Sequence, residues 1–352
     1  MSLLFSAKMI SPPSSPTVPG SARHPAAGVV VLARTLRDLG HDPEPLLRRC
    51  GLPGRLAGTG QAVPVDRELD FICEALRVSG RPDLGLLAGR GHRFPVFGFW
   101  GLALVASPTL ASAIRVGLQY VDLTHTFLRW SFQRDPAHAE LRMRPSLPLG
   151  ELETFLVERD AAAAATLFED LTGQRGGLSE AVFGYAAPAW AERYAAVFDC
   201  PVTFGGDRHA LRLPADRLEQ ALPGRDPVTA AAAEAQCRRL LATLSPAGGL
   251  AMRLRAFLLD HPGRLPTQDE AARHLGLSRR SLRRRLAEEG TGFRALLDEV
   301  RFGLVAGYLE NTPLSLDEIA ARTGFSDAAN LSHAFRRWTG QAPGQWRGAQ
   351  RG

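Results

Sequence analysis

Five arginines, Arg279, Arg280, Arg283, Arg284 and Arg285, fall within seven residues of the run LSRRSLRRRLAEEG, Leu277 to Gly290. A guanidinium is a planar fork of donors that keeps its charge. It suits the paired acceptors on a guanine edge and the phosphate oxygens beside them. The chemistry on offer is recognition of nucleic acid; an isolated run of this kind would be only a solvated face. Leu282 and Leu286 stand one helical turn apart and define an inward edge. At about 100° per residue, Arg280 and Arg284 then point away from the core. Arg283 lies on one flank of that outward face and Arg285 on the other. The spacing predicts Arg280, Arg283 and Arg284 on base edges, with Arg279 and Arg285 on phosphates.

The elements that must position these side chains occur twice. DEAARHLGLS begins at Asp269 and DEIAARTGFS at Asp317, an offset of 48 residues. Each copy continues to an apolar pair four apart, Leu282/Leu286 and Leu331/Phe335, and then to Gly290 or Gly340. Ala272 and Ala320 are small enough for a second helix to cross closely. Gly276 and Gly324 can take the positive φ of a sharp turn. Ser278 and Ser326 are predicted N-caps of the second helix. Each unit is a helix-turn-helix, whose second helix enters a major groove. Between the units, Phe293, Leu296, Leu297, Val300, Leu304 and Tyr308 recur at helical intervals. A rod of some nineteen residues extends about 28 Å, close to the ~34 Å of one DNA turn. Such a rod could hold two readers in successive grooves, and would also serve as core.

LSRRSLRRRLAEEGTGFRALLDEVR followed by LSLDEIAARTGFSDAANLSHAFRRWTGQAPGQWR resembles the DNA-binding domain of the AraC/XylS transcriptional regulators. The likeness covers about residues 250–347. It implies base-contacting positions at Arg280, Arg283 and Arg284 in the first unit and at Ala328, Ala329, Ser332 and His333 in the second. The alanines offer only methyl contacts, as to thymine. Arg336 and Arg337 are expected on the phosphate backbone. The first unit is expected to carry most of the specificity. FGYAAPAWAERYAAVFDCPVTFGG and LRLPADRLEQALPGRDP are similar to the effector-binding domain of one branch of these regulators, with an arabinose-binding-like N-terminal domain. That resemblance implies a small organic effector of unstated identity, a possible homodimer, and activation through RNA polymerase.

The rest of the chain is consistent with this division. It has 352 residues, 45% hydrophobic, with a net charge of +6. From Leu250 to Gly352, 16 arginines face 11 acidic residues, which accounts for all but one of those charges. Such asymmetry assigns the nucleic-acid partner to the C-terminal part. Residues 1–25, rich in Pro and Ser, read as a disordered leader without a signal peptide. Residues 26–244 read as an α+β effector domain with a small, mainly antiparallel sheet. SPAGG, 245–249, reads as a linker. Residues 250–348 read as an all-α DNA-binding domain, with helix-turn-helix units at about 267–290 and 315–340 and a connecting helix at about 292–310.

Within the N-terminal part, helices are predicted at 28–40, 66–79, 108–123, 151–171, 188–198 and 226–244. TFLRWSFQRD and HAELRMR form a hairpin about Asp135-Pro136. Further short strands are expected at 181–185, 202–204 and 210–213. The uncharged stretch Phe94 to Ile114 is long enough to span a bilayer, but Pro95, Gly98, Gly101 and Ser107-Pro108 interrupt it. It is read as buried core.

Enzyme chemistry finds no purchase in familiar motifs: no G-x-S-x-G, P-loop, H-E-x-x-H or Rossmann fingerprint occurs. The dispersed histidines and the cysteines Cys50, Cys73, Cys200 and Cys237 suggest neither a metal site nor a disulfide framework. No cofactor is expected, and the location is taken as cytoplasmic, on the nucleoid. His125 is read as a core or surface residue. Trp100, Trp130 and Phe132 could line an apolar pocket or simply fill the core. Two alternatives stay open: an architectural DNA binder that senses nothing, and an alkyl-transferring enzyme with a DNA-binding tail. The enzyme would need an activated thiol. Cys50 and Cys237 alone have adjacent arginines, on what read as surface helices.

Overall fold

The computed structural model describes residues 23–54, 56, 61–134, 137–244, 250–259, 261, 264–312 and 314–351. The leader up to residue 22, the turn at 135–136 and the linker at 245–249 lie outside the described residues.

The N-terminal part begins with β1 (Arg23–Pro25), α1 (Ala27–Asp38) and α2 (Glu44–Arg49). β2 (Ala62–Pro64), α3 (Val65–Ser79) and α4 (Leu84–Arg90) follow. β1 and β2 pair as a small antiparallel ribbon. The uncharged stretch becomes a 3₁₀ turn at Phe94–Phe97, then α5 (Gly98–Val105) and α6 (Leu110–Gln119). The Thr109 hydroxyl caps α6 by accepting from Ser112 N. Among the described residues no helix is long and apolar enough to cross a membrane.

β3 (Leu128–Arg134) and β4 (His138–Pro145) form the expected hairpin, and α7 (Glu153–Thr172) follows. Then come β5 (Glu180–Phe183), α8 (Glu192–Phe198), β6 (Val202–Phe204) and β7 (His209–Pro214). α9 (Pro227–Leu244) closes this part. The sheet has the order β3-β4-β7-β5-β6 and is antiparallel except for the β5/β6 pair. It belongs to a small α+β layer whose core includes Leu36, Leu69, Leu84, Leu156 and Phe183.

The C-terminal part is helical throughout: α10 (Leu250–Leu259), α11 (Gln268–His274), α12 (Arg279–Glu288), α13 (Phe293–Asn311), α14 (Leu316–Arg322), α15 (Ala328–Thr339) and α16 (Pro343–Arg351). Its apolar cluster is continuous with α5, α6 and α9. Trp100, Leu110 and Tyr120 share it with Leu254, Leu286 and Phe335. α13 therefore buries more than the single predicted stripe. Leu296 and Val300 are buried as expected, but beyond them Val305, Ala306 and Leu309 are buried while Leu304 and Tyr308 are half-exposed. The rod is wrapped on two sides, by the helix-turn-helix units and by α6. At Gly303 a Cβ would lie 2.6 Å from Gln119 Oε1, so any larger residue there would have to displace the end of that side chain.

Two of the cysteines depart from expectation. Cys50 is 5% exposed and Cys237 0%, because α2 packs on α3 and α9 packs on α5. They are not on open surface. Burial pushes the Cys50 thiol up to about 11 and the Cys237 thiol up to about 12. Both are poor nucleophiles near neutral pH.

Candidate nucleic-acid interface

Each unit is built by the same local bonds. In the first, Thr267 and Glu270 form a capping box at the start of α11. Ser315 and Glu318 repeat it at α14. The signatures T-Q-D-E and S-L-D-E are legible, and they fix both helix starts. Gly276 and Gly324 have φ of 68° and 72°. Leu277 N then donates to Ala272 O at 2.9 Å, and Phe325 N to Ala320 O at 3.0 Å. These are the closing bonds of a Schellman turn, which the left-handed glycine makes possible.

Ser278 caps α12, its hydroxyl accepting from Ser281 N at 3.1 Å. The second unit differs. Its cap is Asp327, which accepts from Asn330 N at 2.7 Å, and not Ser326. Ser326 instead donates to Asp327 Oδ2 at 2.9 Å. A carboxylate caps as well as a hydroxyl and adds charge favoured by the helix dipole, so the extra residue in the turn moves the cap on by one.

The reading faces follow. Leu282 and Leu286 of α12 are completely buried, whereas all five arginines of the run are exposed. Arg284 reaches Glu288 Oε1 at 2.7 Å and Arg279 lies 3.6 Å from Asp269. Both pairs are more than half exposed, and such pairs contribute only about 0–1 kcal/mol and break readily. Among the described residues Arg280, Arg283 and Arg285 show no ion pair. The far end of α12 is also tied down: the Glu289 carboxylate accepts from Leu250 N and Ala251 N at 2.7 and 2.9 Å. It thereby caps α10.

On α15, Leu331 and Phe335 are buried, Ala329 and His333 are exposed, and Ala328 and Ser332 are half-buried. Phe302 of the rod meets the Phe335, Trp338 and Trp346 rings at 5.9, 6.0 and 6.3 Å. Arg336 and Arg337 are exposed, but they line a cleft of about 750 Å³ between α13, α15 and the β3 edge. Arg337 also pairs with Asp298 at 3.0 Å. Here the two border the cleft toward the β3 edge while staying open to solvent.

The same cleft contains the main polar joint between the two parts. Arg255 of α10 is buried, and pairs with Asp122 after α6 and with Glu299 of α13, the latter at 2.7 Å. Burial opposes its charge, yet the two carboxylates hold the guanidinium above the usual arginine range. Arg144 of β4 donates to Gly290 O, the last turn of the first unit, at 2.7 Å.

Within the N-terminal part lies an apolar pocket of about 140 Å³, walled by α5, α6 and α7, which shares Leu118, Val121, Thr124, Thr126 and Trp130 with the larger cleft. Trp100 and Trp130 line it; Trp130 also lines the larger cleft, where Phe132 lies. His125, buried, is among the residues around it. α7 also carries buried charge. Glu158 Oε1 accepts from Trp190 Nε1 at 2.6 Å and Tyr194 OH at 2.5 Å. Burial, only partly offset by these bonds, pushes its carboxyl from 4.5 up to about 7. A carboxyl raised on folding contributes stability that is fully present below its unfolded value. That contribution is lost as pH rises through the folded value. Glu158→Gln is expected to match the parent near pH 4.5 and to be more stable at pH 8.5. At about 1.4 kcal/mol per tenfold, the gain is at most roughly 3 kcal/mol, read from melting curves at the two pH values.

A chain with two paired reader helices, one of them armed with free guanidinium groups, and a regulatory domain docked behind them defines a DNA-binding transcriptional regulator. Comparison with known proteins assigns the family. Residues 40–222 match the arabinose-binding domain of AraC transcription regulators, N-terminal, and residues 271–349 match a helix-turn-helix domain. The chain belongs to the AraC family. It is 38% identical over 282 residues to the ornithine utilization regulator of Pseudomonas aeruginosa, covering 80% of this chain and 83% of that protein. It is 30% identical over 338 residues to the uncharacterized HTH-type transcriptional regulator Rv1395 of Mycobacterium tuberculosis, covering 93% and 97%. The crystal structure of the transcriptional regulator CdpR from Pseudomonas aeruginosa is 26% identical, covers 92% of this chain and 98% of that one, and superposes with a TM-score of 0.48.

Proposed function

We propose that this regulator reads an asymmetric promoter site of about two helical turns and activates transcription, through RNA polymerase, in response to a small organic effector. Residues 26–244 act as the sensing unit and 250–348 as the reader, joined at 245–249. Arg280, Arg283 and Arg284 contact base edges, and Arg279 and Arg285 contact phosphates. On the second helix, Ala328, Ala329, Ser332 and His333 face the bases. Arg336 and Arg337 grip the backbone once effector binding alters how that helix sits against the β3 edge. The protein works in the cytoplasm, as a regulator and not as a catalyst, alone or as a homodimer.

One observation supports this reading above the others: five exposed arginines on a helix whose opposite edge is wholly buried. A charged face kept for solubility needs no such capped, glycine-turned seat. The test is selection of bound duplexes from a random pool by the full chain. A single asymmetric motif is expected. Recovery of unrelated sequences would favour an architectural binder.

A further inference from the structure

The duplication reaches further back than its two helix-turn-helix units. The same 48-residue offset that carries the cap Thr267 onto Ser315 carries Arg253 of α10 onto Arg301 of α13. α10 thus stands to the first reader as the rod stands to the second, and each presents an arginine at the same position. The two arginines are used differently.

Arg301 reaches across to the turn of the second unit. Its Nη2 donates to Gly324 O at 2.9 Å, and its Cζ lies 4.8 Å from the centre of the Phe325 ring. Its Nε is buried without a partner, and among the described residues it makes no ion pair. A half-buried guanidinium away from carboxylates is held here by a carbonyl dipole and a ring face. Phe325 carries the contact onward: its ring meets Trp338 of α15 at 6.0 Å. One turn back on the rod, Asp298 pairs with Arg337 in the last turn of α15. The rod therefore grips the second reader at both ends, and Arg301 supplies the grip at the turn from which the helix starts.

The first unit lacks this grip. Arg253 shows no hydrogen bond and no ion pair among the described residues. Leu277 stands where the second unit has Phe325, and it has no ring face to offer. A Cβ at Gly276 would meet nothing within 4 Å, whereas at Gly324 it would lie 3.5 Å from Arg301 Nη2.

We propose that Arg301 is a positioning residue for DNA recognition: by clamping the Gly324–Phe325 turn to the rod it fixes the angle of α15, and so the separation of the two DNA segments that α12 and α15 read. This rests on the two-segment reading proposed above. α15 begins three residues after Phe325, so a shift of the turn swings the whole helix. One base pair added between the segments moves the second by about 3.4 Å and about a tenth of a helical turn. A clamped reader cannot follow that displacement, and a released one follows it in part.

The test uses the full chain and its selected duplex, with and without one base pair inserted between the two segments. Affinities come from fluorescence anisotropy, with melting curves alongside. The parent is expected to lose about tenfold in affinity on the lengthened duplex. Arg301→Met is expected to bind the original duplex about tenfold more weakly, and to lose less than about threefold further on the lengthened one. Arg253→Met, the control within the same chain, should show the parent's penalty. Arg301→Met penalised like the parent would overturn the inference, as would Arg253→Met relaxed to the same degree. So would complete loss of binding by an Arg301→Met that melts as the parent does, since the first unit should still hold its own segment. If Arg301→Met melts below the assay temperature, Arg301→Lys is read in its place by the same criteria, because an ammonium cannot both lie flat on the ring and donate to Gly324 O. A parent indifferent to the insertion removes the two-segment reading and this inference together. A parent that discriminates, beside an Arg301→Met that discriminates equally, removes this inference alone.

Discussion

Arg284→Ala is expected to weaken binding to the selected site by about 1–3 kcal/mol and to relax base preference at one position. The reason lies in the seat of the helix. Leu282 and Leu286 are the buried edge, so residue 284 stands nearly opposite them, where the groove floor would be. Its one partner, Glu288, is 57% exposed and gives little to hold it back. A guanidinium facing guanine makes two directed bonds, and alanine makes neither. Arg285→Ala and Arg337→Ala provide the contrast. Each should weaken all sequences alike and reduce the salt slope by about one. Equal losses for all three variants on specific and random DNA would mean that Arg284 is a phosphate contact.

Asp122→Ala is expected to weaken the docking of the two parts, which their shared apolar cluster still holds. It removes one of the two carboxylates on Arg255, whose side chain is 9% exposed, and leaves that charge with Glu299 alone. Breaking a fully buried pair costs about 3–5 kcal/mol. Because Glu299 remains, about 2–3 kcal/mol is expected here, seen as a lower melting temperature. The double variant with Arg255→Met should recover much of the loss, since an apolar side chain of similar volume does not need a counter-charge. If the single variant melts as the parent does, the joint carries no docking energy.

The reader was legible in the sequence because its signals are local. A duplicated D-E-x-A…G-x-S, a leucine pair one turn apart and a nineteen-residue stripe each specify an element without outside help. The hairpin and α7 were legible for the same reason. Where the signal was local but doubled, it misled: S-D-A-A-N offers two capping residues, and the backbone uses Asp327, not Ser326. What the sequence withheld is what packing decides. Cys50 and Cys237 sit beside arginines, yet their thiols turn inward. Trp130 and Phe132, two apart on β3, share one face and both line the larger cleft, yet only Trp130 also reaches the apolar pocket. That Arg336 and Arg337 border a cleft shared with the N-terminal part follows from how that part docks, which no spacing within α15 reveals. The pairing of His125 with His92, 33 residues away, is likewise invisible to local spacing.

The central claim is that two reader helices, held by the rod α13, seat themselves in neighbouring grooves on one face of a duplex. Hydroxyl-radical footprinting of the full chain on its selected site tests this most directly. Two protected patches on each strand, about 10 base pairs apart, are expected. A single patch, or even protection along the whole fragment, would contradict the account.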